Sequence, residues 1–193
     1  MDAKTSAGSR RELTKAQNRE TILEAARLVF AQLGFATATV RDIIRATPLA
    51  SGTFYNYFKS KEQVYQALRD EEALAIRPRL REARASAANA QEFLAASFRT
   101  FFWYVAEKGE SGGDRFRLDS PQVLAGFAEL RQDIEKAMAQ GLLPPADPGL
   151  FAAALTGVAF ELAEEVKAGA EVEKVTDFAT ALFLGGVGAL PKP

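Results

Sequence analysis

Apolar residues recur along this chain at intervals of three and four, the spacing of one face of a helix, and almost never alternate one by one as in a half-buried strand. The pattern predicts an all-α protein. A first helix is expected from about Thr14, where Thr14 and Gln17 have capping-box spacing. Its stripe is Ile22, Ala25, Ala26, Val29, Phe30 and Leu33, and Gly34 stops it as a residue able to turn left-handed. Thr39 and Asp42 open a second, short helix with Ile43 and Ile44 on its buried side, and Pro48 ends it. A further short helix is placed at Thr53–Phe58. Ser60 and Gln63 then begin a long one, bent or interrupted around Pro78. Residues 14–58 therefore form a three-helix unit ending in a helix-turn-helix.

The stretch "SGTFYNYFKSKEQ", residues 51–63, places four rings in five positions ahead of two lysines. Phe54 and Phe58 are four apart and share a face, which predicts burial against Ile43 and Phe30. Tyr55 and Asn56 follow Phe54 at steps of about 100° around the helix and point away from that core.

Further along, the apolar density rises. Residues 89–107 form a helix carrying Phe93, Phe98, Phe101, Phe102, Trp103 and Tyr104, more rings than one narrow face holds. The last two helices are placed at 147–167 and 171–189. The former has small residues Ala152, Ala153 and Gly157 beside its large ones, and both are more apolar than surface helices need to be.

Composition and charge narrow the chemistry. With 48% apolar and 25% charged residues, the 193-residue chain can fill a real core. No signal segment is read at the start and no apolar run reaches about 18 residues, so a cytoplasmic protein with no membrane partner is expected. There is no cysteine or histidine, which removes thiolate nucleophiles, Ser–His pairs and most zinc sites. No glycine-rich phosphate loop is present. No enzyme, cofactor or metal is expected. Residues 1–61 hold ten Lys/Arg against five Asp/Glu, whereas the remainder holds fourteen against twenty. A basic front on an acidic body suits a module for a polyanion joined to something else.

The segment "ATVRDIIRATPLASGTFYNYFKSKEQVYQAL" resembles the DNA-binding signature of the tetracycline-repressor (TetR) family of bacterial regulators. The shared elements are the Thr-opened helix with Arg-Asp-Ile, the Gly-Thr-apolar-Tyr-x-Tyr-Phe run, and the Ser-Lys-Glu opening the next helix. The turn departs from the family pattern: Thr47, Pro48, Leu49, Ala50 and Ser51 replace an Ala-Gly-Val-Ser type of turn, and Ala50 cannot cap the helix that follows. The resemblance implies a DNA-binding domain at 1–60 with a basic arm (Arg10, Arg11, Lys15), and an effector-binding and dimerisation domain at 61–193. Operator contacts fall on Thr39, Arg41, Ser51, Gly52, Thr53, Tyr55, Asn56, Tyr57, Lys59 and Lys61. Thr53, Tyr55, Asn56 and Arg41 suit base edges, and Tyr57, Lys59, Lys61 and the Thr39 amide suit phosphates.

By the same resemblance the aromatic region lines a cavity for a hydrophobic effector, acyl-type or aromatic. Phe98, Phe101, Phe102, Phe116, Phe127 and Phe160 are the lining candidates, with Arg99, Arg117 or Tyr104 as polar handles. Phe151, Leu155, Val158, Leu162, Phe178 and Leu182 are placed in a four-helix interface between two copies. The function so implied is that of a homodimeric repressor, released from palindromic double-stranded DNA when an effector moves the long helix. Two alternatives stand beside it: a helix-turn-helix dimer with no effector, and a small helical enzyme using Glu161, Glu164 and Glu165.

Overall fold

A computed structural model describes residues 3–108 and 121–187. Among them the chain is helical throughout: α1 Ala3–Thr37, α2 Val40–Arg45, α3 Ser51–Tyr55, α4 Lys61–Ala85, α5 Ala90–Lys108, α6 Pro121–Ala139, α7 Pro148–Lys167 and α8 Val172–Val187. It divides into two compact units, one running through Arg69 and the other taking the described residues from Asp70 on. This division lies after Arg69, whereas the sequence expectation is 60/61. Val64, Tyr65 and Leu68 of α4 belong to the core of the first unit.

In that unit the sequence signals and the helix boundaries agree at two places. Gly34 leaves helical geometry at φ 72°, a left-handed angle that only glycine adopts at no steric cost, and this kinks α1 before its last residues. Thr39 caps α2 reciprocally. Its hydroxyl accepts from the Asp42 amide while its own amide and hydroxyl donate to the Asp42 carboxylate at 3.0 and 2.6 Å. The expected start at Thr14 is corrected: α1 is helical from Ala3, and the Thr14 hydroxyl donates to the Arg10 carbonyl one turn back (2.9 Å). A threonine inside a helix pairs this way, so capping-box spacing alone does not make a helix start. Around α1, the side chains of Ile22, Leu23, Ala26, Phe30, Ile43, Phe54 and Phe58 close a single cluster, the packing expected for the two phenylalanines. Phe30, Phe35 and Tyr65 add three mutual ring contacts at 4.7–5.9 Å.

The second unit packs α5, α6, α7 and the first three turns of α8 around Phe93, Leu94, Phe98, Phe102, Leu130, Ile134, Phe151 and Leu155. Asp147 caps α7, accepting from the Leu150 amide at 2.8 Å, and Pro148 takes the first helical position, where a missing N–H is harmless. At the other end Gly169 (φ 101°) turns left-handed, and the Ala170 amide reaches back to the Glu165 carbonyl at 2.9 Å. α4 continues through Pro78 without interruption. Its later part meets α6 through charges. Arg77 donates to both carboxylate oxygens of Glu129 and to Gln122. The buried Arg84 pairs with Asp133 at 2.8 Å.

Candidate functional site

The short helix α3 has two faces with different tasks. Phe54 is 1% exposed and anchors it in the core, while Tyr55 is 58% exposed and meets Phe54 edge-on at 5.4 Å. Asn56 is the exposed C-cap, and its side-chain amide makes no hydrogen bond among the described residues. The helix runs Ser51–Tyr55 rather than Thr53–Phe58, so it starts earlier and ends sooner than expected. Ala50 gives it no side-chain cap, and Ser51 does not substitute for one. Thr47 stiffens the turn instead: its hydroxyl donates to the Ile44 carbonyl at 2.9 Å and accepts from the Leu49 amide at 3.2 Å.

On the same unit Arg41, Ser51, Gly52 and Lys59 are exposed and Thr53 is half-buried. Arg41 forms no ion pair among the described residues. Tyr57 packs partly against the core.

Two candidate phosphate contacts have other engagements. The Thr39 amide donates to Asp42, whose carboxyl is held below the usual carboxylate range by the Thr39 hydroxyl and then by that amide. Lys61 is engaged within the chain. Its ammonium donates to the carbonyls of Phe35 (2.6 Å), Ala36 (3.1 Å) and Ala38 (2.9 Å), and lies over the Phe35 ring at 4.6 Å. The cause lies at Gly34, where the kink leaves carbonyls that no later turn of helix can satisfy. A cation at the end of a helix also suits its dipole.

In the second unit the ring cluster is closely packed. Phe98 and Phe102 are fully buried and stack at 5.8 Å, and Phe183, named by no sequence signal, contacts both Phe98 (5.6 Å) and Phe151 (5.8 Å). Phe101 meets Phe160 edge-on at 5.4 Å. Phe160 is exposed on its outer side and Phe127 is half-buried on α6. Of the polar handles, Arg99 pairs with Glu173 at 2.9 Å, and the Tyr104 hydroxyl donates to the Glu72 carbonyl at 3.3 Å. Trp103 also donates to Glu173 (3.2 Å), and these two bonds hold the Glu173 carboxyl below its ordinary range. Phe116 and Arg117 lie outside the described residues. A shallow surface concavity is found away from the rings, between Ala83, Ala87, Gln91, Ala95 and Arg99.

The interface candidates separate. Phe151 and Leu155 are buried inside the chain's own core and are corrected to core residues, since neither has surface to offer a partner. Val158 and Leu162 are partly covered by that core, whereas Phe178 and Leu182 project from α8 at 60% and 52% exposure. Leu150, not among the candidates, is 73% exposed on α7. Glu161, Glu164 and Glu165 lie on the exposed side of α7. Among the described residues no three carboxylates converge as a metal site, and no helix is long and apolar enough to cross a membrane.

Residues 22–68 match the family model described as bacterial regulatory proteins, tetR family. The HTH-type transcriptional repressor KstR2 of Mycolicibacterium smegmatis is 45% identical over 56 residues, which are 28% of this chain and 27% of that protein. The chain therefore spans about a quarter of that curated relative. Two solved structures share the fold over nearly the whole length. FadR of Bacillus subtilis, in complex with stearoyl-CoA, superposes with a TM-score of 0.70 at 22% identity, covering 87% of this chain and 98% of that one. AibR, in complex with isovaleryl coenzyme A and operator DNA, gives 0.63 at 21% identity, covering 91% and 99%.

Proposed function

We propose that the chain, whose residues 22–68 match the tetR-family model, is a TetR-family homodimeric repressor of transcription, released from a palindromic operator by a hydrophobic small molecule. One observation carries the reading: α3 buries Phe54 and turns Tyr55 and Asn56 outward, with no competing hydrogen bond for the Asn56 amide among the described residues. An Asn amide can pair with adenine N6 and N7, and a Tyr ring packs on a thymine methyl. Arg41, exposed at the start of α2, adds a guanidinium suited to guanine, and Lys59 a charge for phosphate.

The dimer rests on Leu150, Phe178 and Leu182, large apolar side chains that water would otherwise cover. A two-fold dimer presents two copies of α3 to two half-sites, and α4 runs unbroken from the first unit into the second. An effector held among the rings of the second unit would act through that helix. The ligands in the two neighbours make acyl thioesters the first class to try, with flat aromatic compounds second.

The test is a mobility shift on an operator selected from random duplexes. Wild-type affinity falls steeply as salt rises, because phosphate contacts release counterions. Asn56→Ala costs about 1–3 kcal/mol on the selected site and relaxes the preference at one base pair, leaving thermal stability unchanged. Intact binding and unchanged specificity in that variant would reject the assignment of α3.

A further inference from the structure

Thr53, Tyr55 and Asn56, the side chains assigned to base edges beside Arg41, stand on α3 or at its C-cap, yet that helix is five residues long and Phe54 is its one buried residue. A single anchor fixes where a helix sits and leaves it free to swing. The C-terminal end gains a second anchor, since Phe58 is buried just beyond it. The N-terminal end has no capping side chain, because Ala50 carries no oxygen there. What holds that end is the turn before it.

In this turn a side chain does what backbone does elsewhere. The helical runs before Gly34, Gly141 and Gly169 end on a left-handed glycine, whereas the connection from α2 to α3 has no positive φ. Pro48 stands in it instead, with φ held at about −65° and no amide to donate. A residue before proline is also pushed away from helical geometry. Thr47 answers both constraints. Its amide donates to the Ile44 carbonyl at 3.1 Å; its hydroxyl donates to the same carbonyl at 2.9 Å and accepts from the Leu49 amide at 3.2 Å. One oxygen atom thus spans the proline, from the last turn of α2 to the residue two before α3. Leu49 itself packs against the cluster that holds Phe54.

We propose that Thr47 sets the angle at which α3 offers Tyr55 and Asn56 to base edges, as a positioning residue for operator recognition that touches no base itself. Its side chain is half-buried and the single proton of its hydroxyl goes to Ile44, so it acts through Leu49 and not on a phosphate. Two-point pairing of an Asn amide with adenine depends on direction as well as reach. A swing of α3 therefore loses base-specific contacts first. Phosphate contacts depend mainly on charge and stay nearly intact. The role of Thr47 rests on α3 being the helix that reads DNA.

Thr47→Val and Thr47→Ala remove the hydroxyl with and without keeping the bulk, and Thr47→Ser keeps the hydroxyl. Mobility shifts of each on the selected operator and on a scrambled duplex test the role, with thermal melts giving the folded fraction to which each affinity is referred. The valine and alanine variants should bind the operator about three- to tenfold more weakly, the worth of one hydrogen bond. Their affinity for the scrambled duplex and their salt slope should match wild type, and the serine variant should restore operator binding. Hydrogen exchange at the Leu49 amide should be slow in wild type and Thr47→Ser and fast in the other two. Variants that melt earlier but keep the wild-type preference between the duplexes would reduce Thr47 to a support of the fold and overturn the proposal. A serine variant as weak as the valine one would overturn it too. An Asn56→Ala variant that keeps the preference would remove α3 as the reading helix. A preference lost in Asn56→Ala but kept in Thr47→Val removes only the role of Thr47.

Discussion

Arg84 and Asp133 hold one another at 2.8 Å with the arginine side chain only 6% exposed, joining α4 to α6 by charge where most helix pairs of the second unit meet through rings and methyls. Breaking such a pair from one side is costly because it strands the other charge. Asp133→Ala should destabilise the second unit by about 3–5 kcal/mol, while the double change Arg84→Met with Asp133→Leu should stay near neutral. Urea unfolding of the two variants checks it. Equal losses would mean that the pair itself, not the stranded cation, supplies the stability.

The neighbouring pair adds a pH dependence. Glu129 is held below its ordinary value first by the hydrogen bond from Arg77, then by the charges of Arg77, Arg81 and Arg84. A carboxyl depressed in the folded state stabilises above its unfolded pKa, near 4.5, and that stability is lost as pH falls through the lower folded value. Melting temperature should therefore fall on acidification below about pH 4.5, and less so in Glu129→Gln. A melt series between neutral and strongly acid pH reads this directly, and parallel curves for the two proteins would exclude it.

Lys61→Ala should act on the fold rather than on DNA. Three carbonyls at the kinked end of α1 lose their charged donor, and charged hydrogen bonds are worth about 1.5–3 kcal/mol. The first unit should melt earlier, and the salt dependence of operator binding, measured where the variant is folded, should keep its slope. A slope reduced by about one would restore Lys61 as a phosphate contact.

Leu182→Arg or Phe178→Arg should yield monomers, since an unpaired charge in an apolar interface costs several kcal/mol. Light scattering at micromolar concentration decides it, and a native monomer in the wild type would remove the α7–α8 interface altogether. Leu155→Arg is no test of assembly, because that side chain is inside the chain's own core.

Much of the first unit was legible because its signals are local. The capping box of Thr39 and Asp42, the break at Gly34 and the spacing of Phe54 and Phe58 each depend on a few neighbouring residues. The carbonyl bonds of Lys61 were not legible because its partners lie more than twenty residues upstream, and a lysine after a ring run has the composition of a phosphate contact. Phe151 and Leu155 were misplaced for another reason: an apolar stripe states that a face is buried, not which surface buries it. The Arg77 and Arg84 pairs went unremarked, because their partners Gln122, Glu129 and Asp133 lie on another helix, more than forty residues away in sequence.

In the proposed reading the five-residue α3 would carry its operator specificity on Tyr55 and Asn56, side chains that stand outside the buried core. Phe54 pins the helix, so Tyr55 and Asn56 are free to vary at little thermodynamic cost. A duplicated copy of this gene could therefore drift to a different operator without first acquiring compensating stability elsewhere. For an engineer the same property makes these two positions the natural place to randomise when redirecting the protein to a new promoter.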